Sequence, residues 1–295
     1  MRVIKISPRG YCYGVVDAIQ MAKRVARDPN VPRPIHVLGQ IVHNHHAVES
    51  LNALGIVTLD GSARMALLDR ISEGTVIFTA HGVSPAIKTA AAAKGLNCID
   101  ATCPDVTKTH DLVISLVSQG YEVIYVGKTG HPEPEGVIGE APGHVHLVET
   151  SDDVDKLELT APLIAVATQT TLSRWDTASV IDHIKDRYPQ AVVNNDICHA
   201  THERQEAATT QVSEADLVLV VGDERSNNSK RLVQVVQEIA GKPARLIDSV
   251  DDIDPAWFNG LSTVAVTSGS STPTEITRAV VQLLEALEPL PAAAN

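Results

Sequence analysis

Short apolar runs alternate along this chain with longer stretches of helical character, and the alternation repeats three times. Runs such as Val123–Val126 (VIYV) and Leu217–Val221 (LVLVV) are almost wholly apolar, as expected of strands covered on both faces in a parallel sheet. Strands alternating with helical stretches imply βαβ crossovers and an α/β fold. Each repeat is predicted to run strand, cysteine, helix, strand, polar loop, short helix, strand, helix, strand, hydroxyl-bearing loop and helix. The expected division is residues 13–98, 99–193 and 194–287. The opening strand and its cysteine (1–12) match the heads of the repeats and are free to pair with the third unit, closing a ring. The tail EPLPAAAN (288–295), with a helix breaker and small residues, reads as frayed.

A cysteine heads each repeat. Cys12, Cys103 and Cys198 stand 91 and 95 residues apart (103 − 12 and 198 − 103), each after a strand-like run: RVIKI, NCIDA and AVVNND. A second apolar run closes at Gly39, Gly127 and Gly222, which lie 27, 24 and 24 residues past the respective cysteines. A third echo falls at FTAHGVSP (78–85), ATQTTLS (167–173) and VTSGSSTP (266–273). Repeats of this length are α/β units that can pack about a common axis, so that equivalent strand ends meet. Three thiols there, without a close C-x-x-C pair, read as a three-point metal or cluster site. Cys98 falls outside the repeat position and reads as a small buried apolar residue.

Composition narrows the class. At 295 residues the chain exceeds the usual single core, and three units of roughly 95 residues fit ordinary domain sizes. A net charge of −12 with no basic run argues against a nucleic-acid surface, so an anionic ligand would be held by local donors. No apolar stretch approaches the ~20 residues that span a bilayer, and the N-terminus lacks the apolar core of a signal peptide. Four dispersed cysteines do not resemble a secreted disulfide framework. The expected compartment is the cytosol, where thiols stay reduced and available to metal.

The polar loops after the second strands carry His43 in GQIVHNHH, His131 and Glu133 in GKTGHPEPEG, and Ser226, Asn227 and Asn228 in GDERSNNSKRL. The third echoes add His81, Thr170 and Ser271. Together these residues form a donor-rich set suited to a phosphate or diphosphate, with one carboxylate for proton transfer. If imidazolium groups hold that anion, its affinity should weaken as pH rises through roughly 6 to 8. Thr272–Pro273–x–Glu275 and Ser84–Pro85 read as helix starts whose hydroxyls serve only as caps. His45, His46 and the other histidines read as structural or solvated.

These residues fall in a set of motifs: PRGYCYGV (8–15), IVHN (41–44), TAHGVSP (79–85), DATCPDVTKTH (100–110), HPEPEG (131–136), TQTTLS (168–173), DICHATHERQ (196–205), SNNSKRL (226–232) and GSSTP (269–273). Jointly, and in this order along almost the whole chain, they resemble the 4-hydroxy-3-methylbut-2-enyl diphosphate reductases of the methylerythritol phosphate route to isoprenoids. The resemblance implies a [4Fe–4S] cluster on Cys12, Cys103 and Cys198 at the centre of a three-lobed fold. It implies substrate contacts from His43, His81, His131, Ser226, Asn227, Asn228 and Ser271, an acid at Glu133, and Thr170 beside the substrate hydroxyl. Many relatives carry two serines before the asparagine of the diphosphate loop. Asn227 replaces the second here, which implies altered geometry rather than lost binding. The chain has no GxGxxG or flavin motif, so its electrons should come from a separate ferredoxin- or flavodoxin-type carrier. Three rival readings stand beside this one: a quinolinate synthase-like three-cysteine ring, a non-catalytic iron–sulfur sensor, and a colourless Cys₃ zinc site.

Overall fold

The structure is a computed structural model that describes residues 1–61 and 63–287; the tail 288–295 lies outside the described residues. It contains three four-stranded parallel sheets with interleaved helices.

The first sheet holds β2 (Ile35–Leu38), β3 (Ile56–Leu59), β4 (Thr75–Phe78) and β5 (Asn97–Asp100), in the order β3-β2-β4-β5. The second holds β6 (Glu122–Val126), β7 (Val145–Val148), β8 (Ile164–Thr168) and β9 (Val192–Val193), ordered β7-β6-β8-β9. The third holds β10 (Leu217–Val221), β11 (Ala244–Ile247) and β12 (Thr263–Ser268), with β1 (Arg2–Lys5) at its edge, in the order β11-β10-β12-β1. The same order recurs, and the opening strand fills the fourth place of the third sheet by pairing parallel to β12.

Central strands bear out the apolar pattern: every residue of β4, β8, β10 and β12 is buried. Edge strands differ. β5 is bonded only to β4 and alternates half-buried with exposed residues, so Cys98 is exposed rather than buried. The expectation of a buried Cys98 fails because β5 has no neighbour on its outer side and one of its faces is uncovered.

Helices follow in matched positions. α1 (Tyr13–Arg27), α5 (Pro104–Ser118) and α9 (His199–Thr210) begin directly after the three repeat cysteines. α2 (His45–Asn52), α6 (Pro132–Ile138) and α10 (Asn227–Glu238) follow the polar loops. α4 (Pro85–Ala93), α8 (Arg174–Arg187) and α11 (Thr274–Ala286) follow the third echoes, while α3 (Arg64–Asp69) and α7 (Ser151–Asp155) are short connections.

Two compact units group these elements. One comprises Met1–Tyr13, His43–Ala47 and the chain from His199 on; the other comprises Gly14–Val42 and Val48–Cys198. The core of the first packs Val218, Val220, Leu232, Val236 and Ala265 on one face of its sheet and Leu219, Val221, Val264, Val266 and Leu284 on the other. In the second unit, Phe78, Val76 and Leu68 anchor the first sheet and Ile124, Val166 and Ile184 anchor the second. Truncating one such fully buried isoleucine or leucine to alanine costs ~2–5 kcal/mol.

Candidate active site

The threefold repeat extends to single hydrogen bonds. The Cys12 N–H donates to the Ser270 carbonyl (3.0 Å), Cys103 N–H to Ala80 (3.0 Å) and Cys198 N–H to Thr170 (3.1 Å). Each acceptor belongs to the third echo of its sheet, so every cysteine is pinned where a central strand ends and a helix begins. Free N–H groups at such a helix start favour negative charge, and a ligating cysteine is a thiolate. All four cysteines are free thiols, and the three repeat cysteines are half-buried.

In the unit that carries Cys12, the preceding loop is tied down twice. Gly10 N–H donates to Ser268 Oγ (2.7 Å), and the buried Arg204 guanidinium donates to the Gly10 carbonyl (2.9 Å). Ser226 caps α10 by accepting the Ser229 N–H (3.2 Å). Asn227 and Asn228 are therefore the buried first residues of a helix. Asn228 Oδ1 accepts the Ser270 N–H (2.8 Å), while its Nδ2 is buried without a hydrogen-bond partner among the described residues. An orphaned buried donor costs ~1–3 kcal/mol unless a ligand accepts from it, and an anion is suited to that role. Ser271 Oγ donates to the His43 carbonyl (3.0 Å) and lies 3.4 Å from Ser226 Oγ. This unit thus gathers Cys12, His43, Ser226, Asn228 and Ser271, with Asn227 beside them. Close packing here needs glycine: a side chain at Gly222 would collide with the Ser229 hydroxyl.

The other unit gathers the acid. Glu133 is 1 % exposed. Thr170 donates to it twice, from its N–H to Oε1 (2.7 Å) and from its hydroxyl to Oε2 (3.0 Å). Burial raises the Glu133 pKa to about 7; the two Thr170 donors pull against that rise, and the charge of Asp196 adds to it. Asp196 is itself raised to about 6 by burial, and its Oδ2 is buried without a partner among the described residues. The ionisation of the fully buried Tyr125 is suppressed by burial and then by the Glu133 charge.

His131 caps α6 in place of a hydroxyl, its Nδ1 accepting the Glu133 N–H (3.1 Å). That bond occupies the Nδ1 lone pair and puts the ring proton on Nε2. The expectation that imidazolium charge holds an anion therefore fails at His131, where the helix start itself uses Nδ1. The His81 ring lies edge-on to the His131 ring at 5.4 Å between centroids, and its Nδ1 is 3.4 Å from Thr79 Oγ1. Cys103 and Cys198 share this unit. A side chain at Gly14, two residues past Cys12, would collide with Cys103 Sγ. The backbone there is stripped of bulk beside a thiol.

Two expectations about caps fail. Neither Ser84 nor Thr272 makes a side-chain cap bond: Ser84 stands at the cap position of α4 without one, and α11 is preceded by Pro273. The Thr272 hydroxyl instead donates to the Val221 carbonyl (2.9 Å), a strand-end acceptor. Sequence reasoning also missed Asp196 and Gly14 as parts of the site. Each lies two residues from a repeat cysteine, which was the available signal.

A model of the LytB protein family matches residues 3–285. The protein from Symbiobacterium thermophilum named 4-hydroxy-3-methylbut-2-enyl diphosphate reductase is 64 % identical over 287 residues, covering 97 % of each chain. The protein of that name from Anoxybacillus flavithermus is 55 % identical, covering 98 % of this chain and 92 % of its own. Among solved structures, the E-1-hydroxy-2-methyl-but-2-enyl-4-diphosphate reductase from Plasmodium falciparum superposes with a TM-score of 0.89 at 35 % identity, covering 96 % of this chain and 87 % of that one. With a family model spanning nearly all of the sequence and relatives this similar along their whole length, the chain belongs to the LytB protein family.

Proposed function

We propose that this protein reduces 4-hydroxy-3-methylbut-2-enyl diphosphate to isopentenyl and dimethylallyl diphosphate, the closing step of the methylerythritol phosphate pathway. Two electrons and two protons replace the allylic C–O bond with C–H and release water. Cys12, Cys103 and Cys198 would hold a [4Fe–4S] cluster. When bound, that cluster supplies an open iron as Lewis acid and a path for electrons.

The chain's own residues supply binding and protons. Ser226, Asn227, Asn228, Ser271 and the imidazoles of His43, His81 and His131 form the diphosphate cradle, fixing the allylic arm. Arg225 flanks this set, and its guanidinium is engaged by Asp223 at 2.9 Å. Hydroxide leaves poorly, so the reaction needs a proton donor that is neutral near pH 7. The carboxyl of Glu133 meets that need, and this is the observation on which the reading rests. In its neutral form the carboxyl can donate to Thr170 Oγ1 (3.0 Å away), whose own hydroxyl hydrogen then turns toward the substrate oxygen. Reprotonation of Glu133 completes the relay.

The electrons come from an external carrier of ferredoxin or flavodoxin type, and the compartment is the cytosol. Among the described residues, no helix is long and apolar enough to cross a membrane. The test is anaerobic purification with iron and sulfide analysis, then turnover with a chemical reductant. The expected result is ~4 iron per chain with both isomers formed. A colourless zinc protein without turnover would overturn the reading. Calorimetry with the free diol and the intact diphosphate tests the cradle, since equal affinities would remove the diphosphate contacts.

A further inference from the structure

We propose that His45, His46 and Asp248 form a binding site for a divalent transition-metal ion of the zinc type, separate from the cysteines. One nitrogen from each histidine and one Asp248 oxygen lie within 4.8 Å of one another. His45 Nε2 is 3.3 Å and His46 Nε2 3.1 Å from the same atom, Asp248 Oδ2. Zinc bonded tetrahedrally at 2.0–2.2 Å sets its ligand atoms about 3.3 Å apart, so these separations match those of a coordination shell.

The histidine orientation supports a cation. Asp223, whose side chain is 4 % exposed, accepts the His45 N–H at Oδ2 (2.9 Å), and His45 Nδ1 lies 3.3 Å from the same oxygen. An Nδ1–H bonded to a buried carboxylate leaves the Nε2 lone pair aimed at Asp248. A carboxylate behind the histidine is the usual outer partner of a zinc-binding imidazole. A lone pair facing a carboxylate oxygen is repulsive until a proton or a metal cation stands between them, and a metal ion can take that place.

A second, independent observation points the same way. Asp248 Oδ1 is buried with no hydrogen-bond partner among the described residues, so this carboxylate has acceptor capacity that the protein leaves unused. The Asp248 backbone is itself fixed, its N–H donating to Asp252 Oδ2 (2.6 Å). A cavity of about 530 Å³ opens beside the cluster, lined by His45, Asp223, Arg225, Asp248 and Asp252. It has room for the water that completes a three-ligand site.

The ligands come from the first turn of α2 and from the residue after β11, so a bound ion would clip α2 to the strand end. Two histidines and a carboxylate suit a first-row divalent ion rather than calcium or magnesium, which prefer oxygen.

The test uses the cluster-loaded protein. It is incubated with zinc, desalted and analysed for zinc, iron and sulfide, alongside His46→Gln and Asp248→Asn. The expected result is one zinc per wild-type chain, with iron and sulfide unchanged. Zinc should be lost from both variants, and the affinity of Asp223→Asn should fall ~10–100-fold, the usual cost of removing an outer partner. Two results would overturn the site: equal zinc in wild type and in folded, cluster-loaded variants, or zinc uptake that expels iron.

Discussion

Glu133 and Asp223 lie in corresponding stretches of successive repeats past the glycine that closes a central strand: Glu133 is the second residue of α6, after Gly127, and Asp223 directly follows Gly222. Both carboxyls are removed from water. Burial dominates at Glu133 over the two donors that Thr170 supplies, and its pKa rises to about 7. Burial pushes the same way at Asp223, but the Arg225 side chain and N–H together with the His45 N–H outweigh it. Asp223 is held well below the ordinary carboxylate range. Burial alone therefore does not set the charge of a loop carboxylate in this fold. A guanidinium two residues away turns one copy into a permanent anion, and its lack leaves the other a proton donor.

The largest expected effect concerns the feature the repeats share. Cys12→Ser, Cys103→Ser and Cys198→Ser should each abolish cluster assembly and turnover, whereas Cys98→Ser, on an exposed edge strand, should keep both. Iron content and visible absorbance across the four variants decide this. Loss of the cluster in Cys98→Ser with retention in another variant would contradict the repeat assignment.

Next is the proton donor. Glu133→Gln preserves size and can still accept the Thr170 N–H, so substrate affinity should hold while kcat falls ~10²–10⁴. Steady-state kinetics with a chemical reductant separate the two. Turnover within a few-fold of wild type would mean that the proton comes from elsewhere.

The two carboxylates should also give pH-dependent stabilities of opposite sign. Glu133 binds a proton in the folded state that the unfolded chain, with a glutamate pKa near 4.3, has released. Its contribution is full below about pH 4 and is lost as pH rises through about 7. Removing that charge in Glu133→Gln should raise stability at pH 8 by ~1–3 kcal/mol, given 1.36 kcal/mol per pKa unit. Asp223 behaves in reverse. Its contribution is full above the unfolded value of about 3.9, declines as pH falls below it, and is lost only as pH passes down through the depressed folded value. Asp223→Asn should therefore destabilise at pH 7 by ~1.5–3 kcal/mol, the scale of lost hydrogen bonds to a charged group, and by progressively less as pH falls below about 4. Denaturant melts of both variants at several pH values test the pair of signs.

The smallest effect distinguishes the two Thr170 donors. Thr170→Val keeps the N–H bond to Glu133 and deletes the hydroxyl, so kcat should fall roughly tenfold, about one hydrogen bond. The loss should be well short of that in Glu133→Gln if the carboxyl can reach the substrate through water instead.

What the sequence made legible follows from locality. Central strands announce themselves because both faces are covered, so β10 is a continuous apolar run and β6 is one after Glu122. The cysteines and loop histidines were legible as candidates because a repeat marks equivalent positions without any knowledge of contacts. Properties decided by distant partners were not legible. Whether Cys98 is buried depends on β5 ending a sheet. Whether Thr272 caps depends on a carbonyl 51 residues earlier. His45 and His46 read as solvated or structural, since their carboxylate partners lie 178 and 202 residues away. The raised pKa of Glu133 was equally hidden, because proline-flanked glutamates in turns usually face water, and only folding brings Thr170 and Asp196 around this one.

The most direct measurement of the central claim is an infrared titration of the carboxylic-acid C=O stretch in wild type, taken as a difference against Glu133→Gln. The expected signal is a protonated carboxyl, absent from the variant, that titrates with a midpoint near pH 7. A Glu133 signal titrating near 4.3, the ordinary glutamate value, would contradict it, because the residue would then be ionised at working pH and unable to donate the proton that expels water.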